Sequence, residues 1–346
     1  MTAILGVHGV GNDRPLQSDD AAAHSLATIW TAALTKGLPT TEAVNLRVAY
    51  YAPQLRSDVA HDPEDPGALD PHAQAMIRAW IGLLDPPAEI AAGRATAPLR
   101  HALEWVAERF GLDTTLTRIF TTVFFREVAT YFDPSNSYRR TRSRNVFLKA
   151  ITAHRPRIVI AHSLGSVVAY EALWAQPDLT VDLLLTLGSP LGMPDVVFPR
   201  LDPSTAPTGR GQRPPGVRTW INISDAGDPI AIPRHLAQRF RDIEHDLSAS
   251  QTRSLQTPEI RTSRIWTVAP STLAAKPSPD PHRRHVADTK PIPLQAIPST
   301  RSRERALSCA AVGQNFAAEL LIESDHVALG LGQPECWVRW IERCPC

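Results

Sequence analysis

Residues Arg157 to Leu173 read RIVIAHSLGSVVAYEAL, and this stretch limits the possible fold more than any other. Its first part, IVIA, is too short for an independent helix and rich in β-branched residues, which predicts a strand buried on both faces. After Gly165 the apolar residues recur at helical spacing through SVVAYEALW. A strand that becomes a helix within a few residues is the start of a βα unit, and here a serine, Ser163, occupies the corner. Functional crevices of α/β sheets lie at the carboxyl ends of strands, so that corner is the first place to look for chemistry.

Five further segments have the same short, apolar, Gly- or Pro-bounded character: AILGVHG from residue 3, VNLRVAYY from 44, VDLLLTLG from 181, VRTWINI from 217 and SRIWTV from 263. Between the first two lies a predicted helix with Ser18 or Asp19 as N-cap, a buried stripe of Leu26, Ile29, Trp30, Ala33 and Leu34, and Gly37 as its stop. Strands alternating with helices predict an α/β fold, a mostly parallel, helix-covered sheet with right-handed crossovers. One crossover, from near Tyr51 to Arg157, is overlong and carries helical patterns in HAQAMIRAWIGLL, LRHALEWVAERFG and TRIFTTVFFREVATYF. We read 1–346 as a single domain with a helical cap inserted over 54–145. The Pro-rich stretches 199–216 and 269–303 are expected to leave the sheet as mobile excursions.

Composition removes several function classes. The chain has 346 residues, 43% hydrophobic and 21% charged, enough for a sizeable core. The formal net charge is +1 and the 36 basic residues follow no single face, which argues against a nucleic-acid partner. No apolar run reaches the roughly 18 residues that a membrane span needs, so no integral membrane segment is expected. The opening MTAILGVHGVGN lacks the basic start of a secretory signal, and a cytoplasmic location is the expectation. The four cysteines, Cys309, Cys336, Cys344 and Cys346, lack paired metal-ligand spacing and read as reduced thiols. His61 and His72 lie in an acidic, Pro-punctuated segment that reads as a solvated loop, and no metal site is expected. The basic run Arg139 to Arg144 reads as a solvated helix start.

At the serine corner, Ala161 and Gly165 flank Ser163 at two residues on either side, where neighbouring backbone approaches too closely for larger side chains. Such a turn lifts the serine Oγ clear of the sheet, aims a helix N-terminus at it and offers the N–H of Leu164 to a developing oxyanion. At the end of the first predicted strand, His8-Gly9-Val10 supplies a second loop of the same kind. The glycines Gly6, Gly9 and Gly11 do not meet the GxGxxG spacing of a dinucleotide site. With these motifs the chain resembles the α/β-hydrolase family, in particular lipase- or esterase-like bacterial serine hydrolases with an HG oxyanion loop.

The resemblance implies a triad in the order serine, acid, histidine, with Ser163 as nucleophile. Downstream, ISDAGDPIAIP offers Asp228 as the acid, with Asp225 as the alternative, and ELLIESDHVALG offers His326 as the base; His282 and His285 are weaker rivals. Val10 and Leu164 would donate the oxyanion hydrogen bonds, supported by His8 and Gly9 in the loop and by Ala161 and Gly165 at the elbow. His162 is expected to turn away from the site and Ser189 to belong to a turn. The implied reaction needs neither metal nor organic cofactor, and the implied partner is a small-molecule or lipid-like acyl substrate, preferentially a carboxylic ester. An amidase, peptidase, thioesterase or acyltransferase would use the same triad, and a hydrolase-like module without catalysis is the alternative of a different class.

Overall fold

Six parallel strands form the central sheet of the computed structural model, which describes residues 2–37, 44–56, 65–93, 99–205, 209–225 and 227–249. They are β1 (Thr2–Val7), β2 (Val44–Ala49), β3 (Ile158–His162), β4 (Val181–Leu187), β6 (Val217–Asp225) and β8 (His245–Ala249). The two-residue strands β5 (Gly211–Gln212) and β7 (Phe240–Arg241) pair with each other outside that sheet. The sheet order is β2-β1-β3-β4-β6-β8. The chain therefore moves from β1 outward to β2 and then returns past β1 to β3. That reversal makes the gap between the carboxyl ends of β1 and β3 the topological switch point, where open α/β sheets form their crevice.

Apolar residues on both faces of the strands account for helices on both sides. Ile4, Leu46, Val48, Ile158, Ile160, Leu183 and Leu185 are buried on the face that receives α1 (Asp19–Gly37) through Ala22, Leu26 and Leu34. The Ser18 hydroxyl accepts the N–H of Ala21, so Ser18 caps the helix. Ile29 departs from the expected stripe and is exposed, because the buried surface of α1 runs through Ala22, Leu26, Ala33 and Leu34 and leaves position 29 at its margin. On the other face lie α6 (Ser137–His154) and α7 (Leu164–Ala175), with α2 (Pro71–Leu83), α4 (Leu99–Phe110) and α5 (Thr114–Tyr131) beyond them; α3 (Ala88–Gly93) is a short helix of the same insertion. Asp70 and Asp113 cap α2 and α5 by accepting backbone N–H groups of the first turns. Trp80, Leu103, Phe124, Phe125 and Val128 of these helices share one hydrophobic cluster with Leu5, Val7, Val159 and Val168. No helix among the described residues is long and apolar enough to cross a membrane.

Five of the six expected strands coincide with β1, β2, β3, β4 and β6, whereas the expected strand at 263–268 lies outside the described residues. The observed edge strand, HDLSA, has no apolar period to announce it. Its Asp246 is a structural acceptor instead, taking Asn222 Nδ2–H at 2.9 Å and the N–H of Ala237 at 2.6 Å.

The basic run at the start of α6 is largely consumed inside the molecule rather than solvated. Arg140 pairs with the fully buried Glu171 of α7, with Nε at 2.8 Å from Oε2, and Arg144 pairs with Asp202. Glu171 also accepts the Tyr131 hydroxyl at 2.7 Å and the N–H of Asp202 at 3.1 Å. One carboxylate thus ties α5, α6, α7 and the segment after β4 together. Removing it would strand the Arg140 guanidinium, so Glu171→Ala is expected to lower stability by about 3 to 5 kcal/mol. Urea unfolding at neutral pH reads this as a lower midpoint with an unchanged slope; a loss below about 1 kcal/mol, as at exposed ion pairs, would contradict the account.

Candidate functional site

Ser163 lies at the switch point, between β3 and α7, with φ 51 and ψ −128. A positive φ is costly for a residue with a Cβ and persists where its surroundings hold it. Here Ser163 N–H donates to the carbonyl of Leu187 at 2.9 Å, and the Ser163 carbonyl accepts from the backbone N–H and the hydroxyl of Ser166. Gly165 explains the tightness of the turn: a Cβ there would lie 2.3 Å from the His8 carbonyl oxygen and 2.5 Å from that of Val7. The first turn of α7 therefore sits directly on the end of β1. Gly9 is equally close, since a Cβ on it would approach Ser163 Cβ and His162 Nδ1, each to 2.8 Å.

The loop after β1 is held peptide by peptide. Tyr51 N–H donates to His8 Nε2 at 3.1 Å, so the ring proton resides on Nδ1, which donates to the Gly9 carbonyl at 2.8 Å. Tyr51 also stacks on the His8 ring, with centroids 4.2 Å apart, and its hydroxyl donates to the His8 carbonyl. Asn12 Nδ2 donates to the carbonyls of Gly9 and Val10 at 3.0 and 3.1 Å. Glu127 of α5 accepts the N–H of Gly11 at 2.9 Å. Because a peptide is planar and trans, fixing the Gly9 carbonyl also fixes the direction of the N–H of Val10. Neither Val10 N–H nor Leu164 N–H has an acceptor among the described residues.

Asp228 follows β6. Its Oδ1 accepts the N–H of Ile230 at 2.8 Å, and its Oδ2 lies 2.8 Å from the point where Gly188 would carry a Cβ. Gly188, at φ 52, follows β4 and donates its N–H to Ile223, so one strand separates Ser163 from the acid loop. Asp225 makes the same local bond as Asp228, accepting the N–H of the residue two further on, Gly227, at 2.6 Å, an Asx-turn in each case. The acid loop is steadied from the inserted helices, because the indole Nε1–H of buried Trp80 donates to the Pro229 carbonyl at 2.7 Å. His162 does not turn away into the core. Its ring is solvent-exposed, set between Gly9 and Gly188, with Nε2 3.9 Å from the same Gly188 position that Asp228 approaches. Ser189 serves the turn, with its hydroxyl 2.7 Å from that of Ser166 and accepting the N–H of Leu191.

Burial governs the titration of the site. It lowers His8 and His162 to about 4 and raises Asp228 to about 6, against the opposing pull of the Ile230 N–H. His162 is exposed at its surface yet surrounded at depth by protein atoms. Both histidines are therefore neutral at pH 7. Among the described residues no cluster of three His, Cys, Asp or Glu side chains could hold a metal ion. His326, His282, His285 and the four cysteines lie outside the described residues. Glu127 and Trp80 are contributors the sequence reading passed over; a lone acid on the apolar pattern VFFREVATY was the available signal for the first.

No protein-family model, curated protein or solved structure matches the chain. The sheet and the helices on both its faces define an α/β fold with Ser163 at its switch point.

The His8 arrangement carries a signed prediction. Its proton binds near pH 4 in the folded chain and near 6.5 in the unfolded one, so the unfolded chain takes up more protons between those values. Stability from His8 is complete above 6.5 and declines towards pH 4, by about 3 kcal/mol. Asp228, with its raised value, acts in the opposite sense, so the measurement is the difference between wild type and His8→Phe in urea unfolding at pH 7 and 4.5. The wild type is expected to show the steeper acid-side loss; equal slopes would refute a neutral, latched His8.

Proposed function

We propose that this chain is a serine hydrolase of the α/β-hydrolase type that cleaves carboxylic esters through an acyl-enzyme on Ser163. The observation that carries the reading is the Ser163 corner itself: a serine held at φ 51 at the switch point, with Val10 N–H in the adjacent loop and Leu164 N–H at the start of α7 lacking acceptors among the described residues. In the proposed reaction Ser163 Oγ attacks the acyl carbonyl and the two N–H groups receive the developing oxyanion. Asp228 orients and stabilises the imidazolium of His326, which takes the serine proton and returns it to the leaving alcohol; water then hydrolyses the acyl-enzyme. Asp228 is favoured over Asp225 because, although each accepts the N–H two residues on, Asp228 Oδ2 is also set against Gly188 at the end of β4, beside His162. The apolar character of the inserted helices supports a hydrophobic acyl or alcohol group.

The test is labelling with a fluorophosphonate probe followed by a hydrolysis profile. Wild type is expected to label and Ser163→Ala not to; a wild type that does not label would leave the non-catalytic binding module as the better reading. Across p-nitrophenyl esters of increasing chain length and matched amides and thioesters, ester turnover is expected, and activity confined to amides would move the assignment to the amidase class. Asp228→Asn is expected to lower kcat on the order of 10⁴-fold while preserving the fold. Comparing His326→Ala with His282→Ala and His285→Ala identifies the base: only the first is expected to abolish turnover.

A further inference from the structure

Glu127 stands out chemically from its surroundings. It is 5% exposed, on a stripe of α5 that otherwise presents Phe120, Phe124 and Tyr131, and it forms no ion pair among the described residues. Its Oε1 accepts the N–H of Gly11, while its Oε2 is buried with no hydrogen-bond partner among the described residues. A buried carboxylate with a single partner costs folding free energy, and that cost has no visible return in stability. What it does secure is the orientation of one peptide in the loop beside Ser163.

We propose that Glu127 is a positioning residue for the oxyanion loop, supplied by the inserted helices, whose carboxylate pins the Val10–Gly11 peptide to α5 and so anchors the Val10 Cα from which the separately oriented Gly9–Val10 peptide, with the Val10 N–H, extends. This rests on the hydrolase reading above. The two peptides flanking the Val10 Cα are both pinned: Gly9–Val10 through its carbonyl by His8 and Asn12, and Val10–Gly11 through its carbonyl by Asn12 and its N–H by Glu127. Gly11, at φ 71, closes the turn. Release of the Glu127 contact leaves the second plane held by Asn12 alone and loosens the Val10 Cα that both planes share, so an N–H that must meet an oxyanion within a few tenths of an ångström shifts in position although its own plane stays pinned.

The device also responds to pH. Burial raises Glu127 to about 7, opposed by the Gly11 N–H and by Arg126 on the same helix and assisted by Asp13 in the loop after β1. Tyr51, from the end of β2, also feels its charge, and Asp13 is itself paired with Arg56. Above pH 7 the Gly11 N–H meets a carboxylate; below it the bond weakens to one with a neutral carboxyl. Glu127 is therefore expected to steepen, as pH passes upward through about 7, the rise in turnover that the His326 base gives on its own.

The experiment compares wild type, Glu127→Gln and Glu127→Ala as full-length chains, with kcat and KM for a p-nitrophenyl ester normalised to the fraction of Ser163 that labels with fluorophosphonate. Glu127→Ala is expected to lose kcat on the order of 10- to 100-fold with KM nearly unchanged, since the affected donor acts on the transition state. Glu127→Gln keeps an acceptor for Gly11 and is expected to retain most of kcat with a shallower rise near pH 7, the remaining rise belonging to the His326 base. A Glu127→Ala chain with wild-type kcat per labelled serine, or a Glu127→Gln chain whose pH profile coincides with that of wild type, overturns the inference; should Glu127→Ala fail to fold, the Gln profile decides. A wild type that does not label overturns the hydrolase reading and this inference with it, whereas a labelling wild type with indifferent Glu127 variants overturns this inference alone.

Discussion

The carboxyl edge of the sheet is organised by one contact between two backbones, in which the first turn of α7 rests on the carbonyls of Val7 and His8 with no room for a Cβ at position 165. Such a contact is available only where a strand turns into a helix at once, and it forces the intervening residue, Ser163, into a left-handed conformation. From it follow the placement of the α7 N-terminus at the switch point and the closeness of the His8–Gly9 loop to Ser163. The contact brings little apolar burial of its own. The surrounding cluster of Leu5, Val7, Leu164, Val167 and Val168 supplies the free energy that holds it.

The ionisable groups around the corner are pushed in one direction by one cause. Burial drives His8 and His162 towards their uncharged forms from above and Asp228 and Glu127 towards theirs from below. Such a setting contains few mobile charges, so a dipole aimed into it acts with less screening than at the surface. The loop after β1 suits that environment. It is held by a neutral histidine, an asparagine, a tyrosine and one carboxyl, and its peptides are oriented before any ligand arrives.

Local chemistry was legible in the sequence wherever a short-range pattern carried it. The strands β1, β3 and β4 are near-continuous apolar runs, Ser18 is a cap by residue type, and Ala161 and Gly165 are small because of the elbow. The edge strand β8 was not legible, because its Asp246 answers to Asn222 and Ala237 across space rather than to a period along the chain. The same limit applied to Arg140, which reads as surface charge in RRTRSR and is in fact the partner of a carboxylate 31 residues away. Glu127 and Trp80 act through contacts 116 and 149 residues apart in sequence, and only the fold reveals what they touch. The resemblance implied that His162 turns away from the site, but its neighbours, Gly9 from the loop after β1 and Gly188 from the end of β4, are set by contacts across space.

The indole of Trp80 has one further consequence. Its Nε1–H reaches across from α2 to the Pro229 carbonyl, the residue next to Asp228, while the rest of the ring is locked in the same core as Phe125. The inserted helices and the loop after β6 therefore share a register: a displacement of α2 of more than a fraction of an ångström would break that bond or carry the Asp228 backbone along. A chain shortened through residues 54–145 would keep all six strands of the sheet and yet let the carboxylate drift, so the length of this insertion is a structural requirement of the crevice rather than an ornament on its rim.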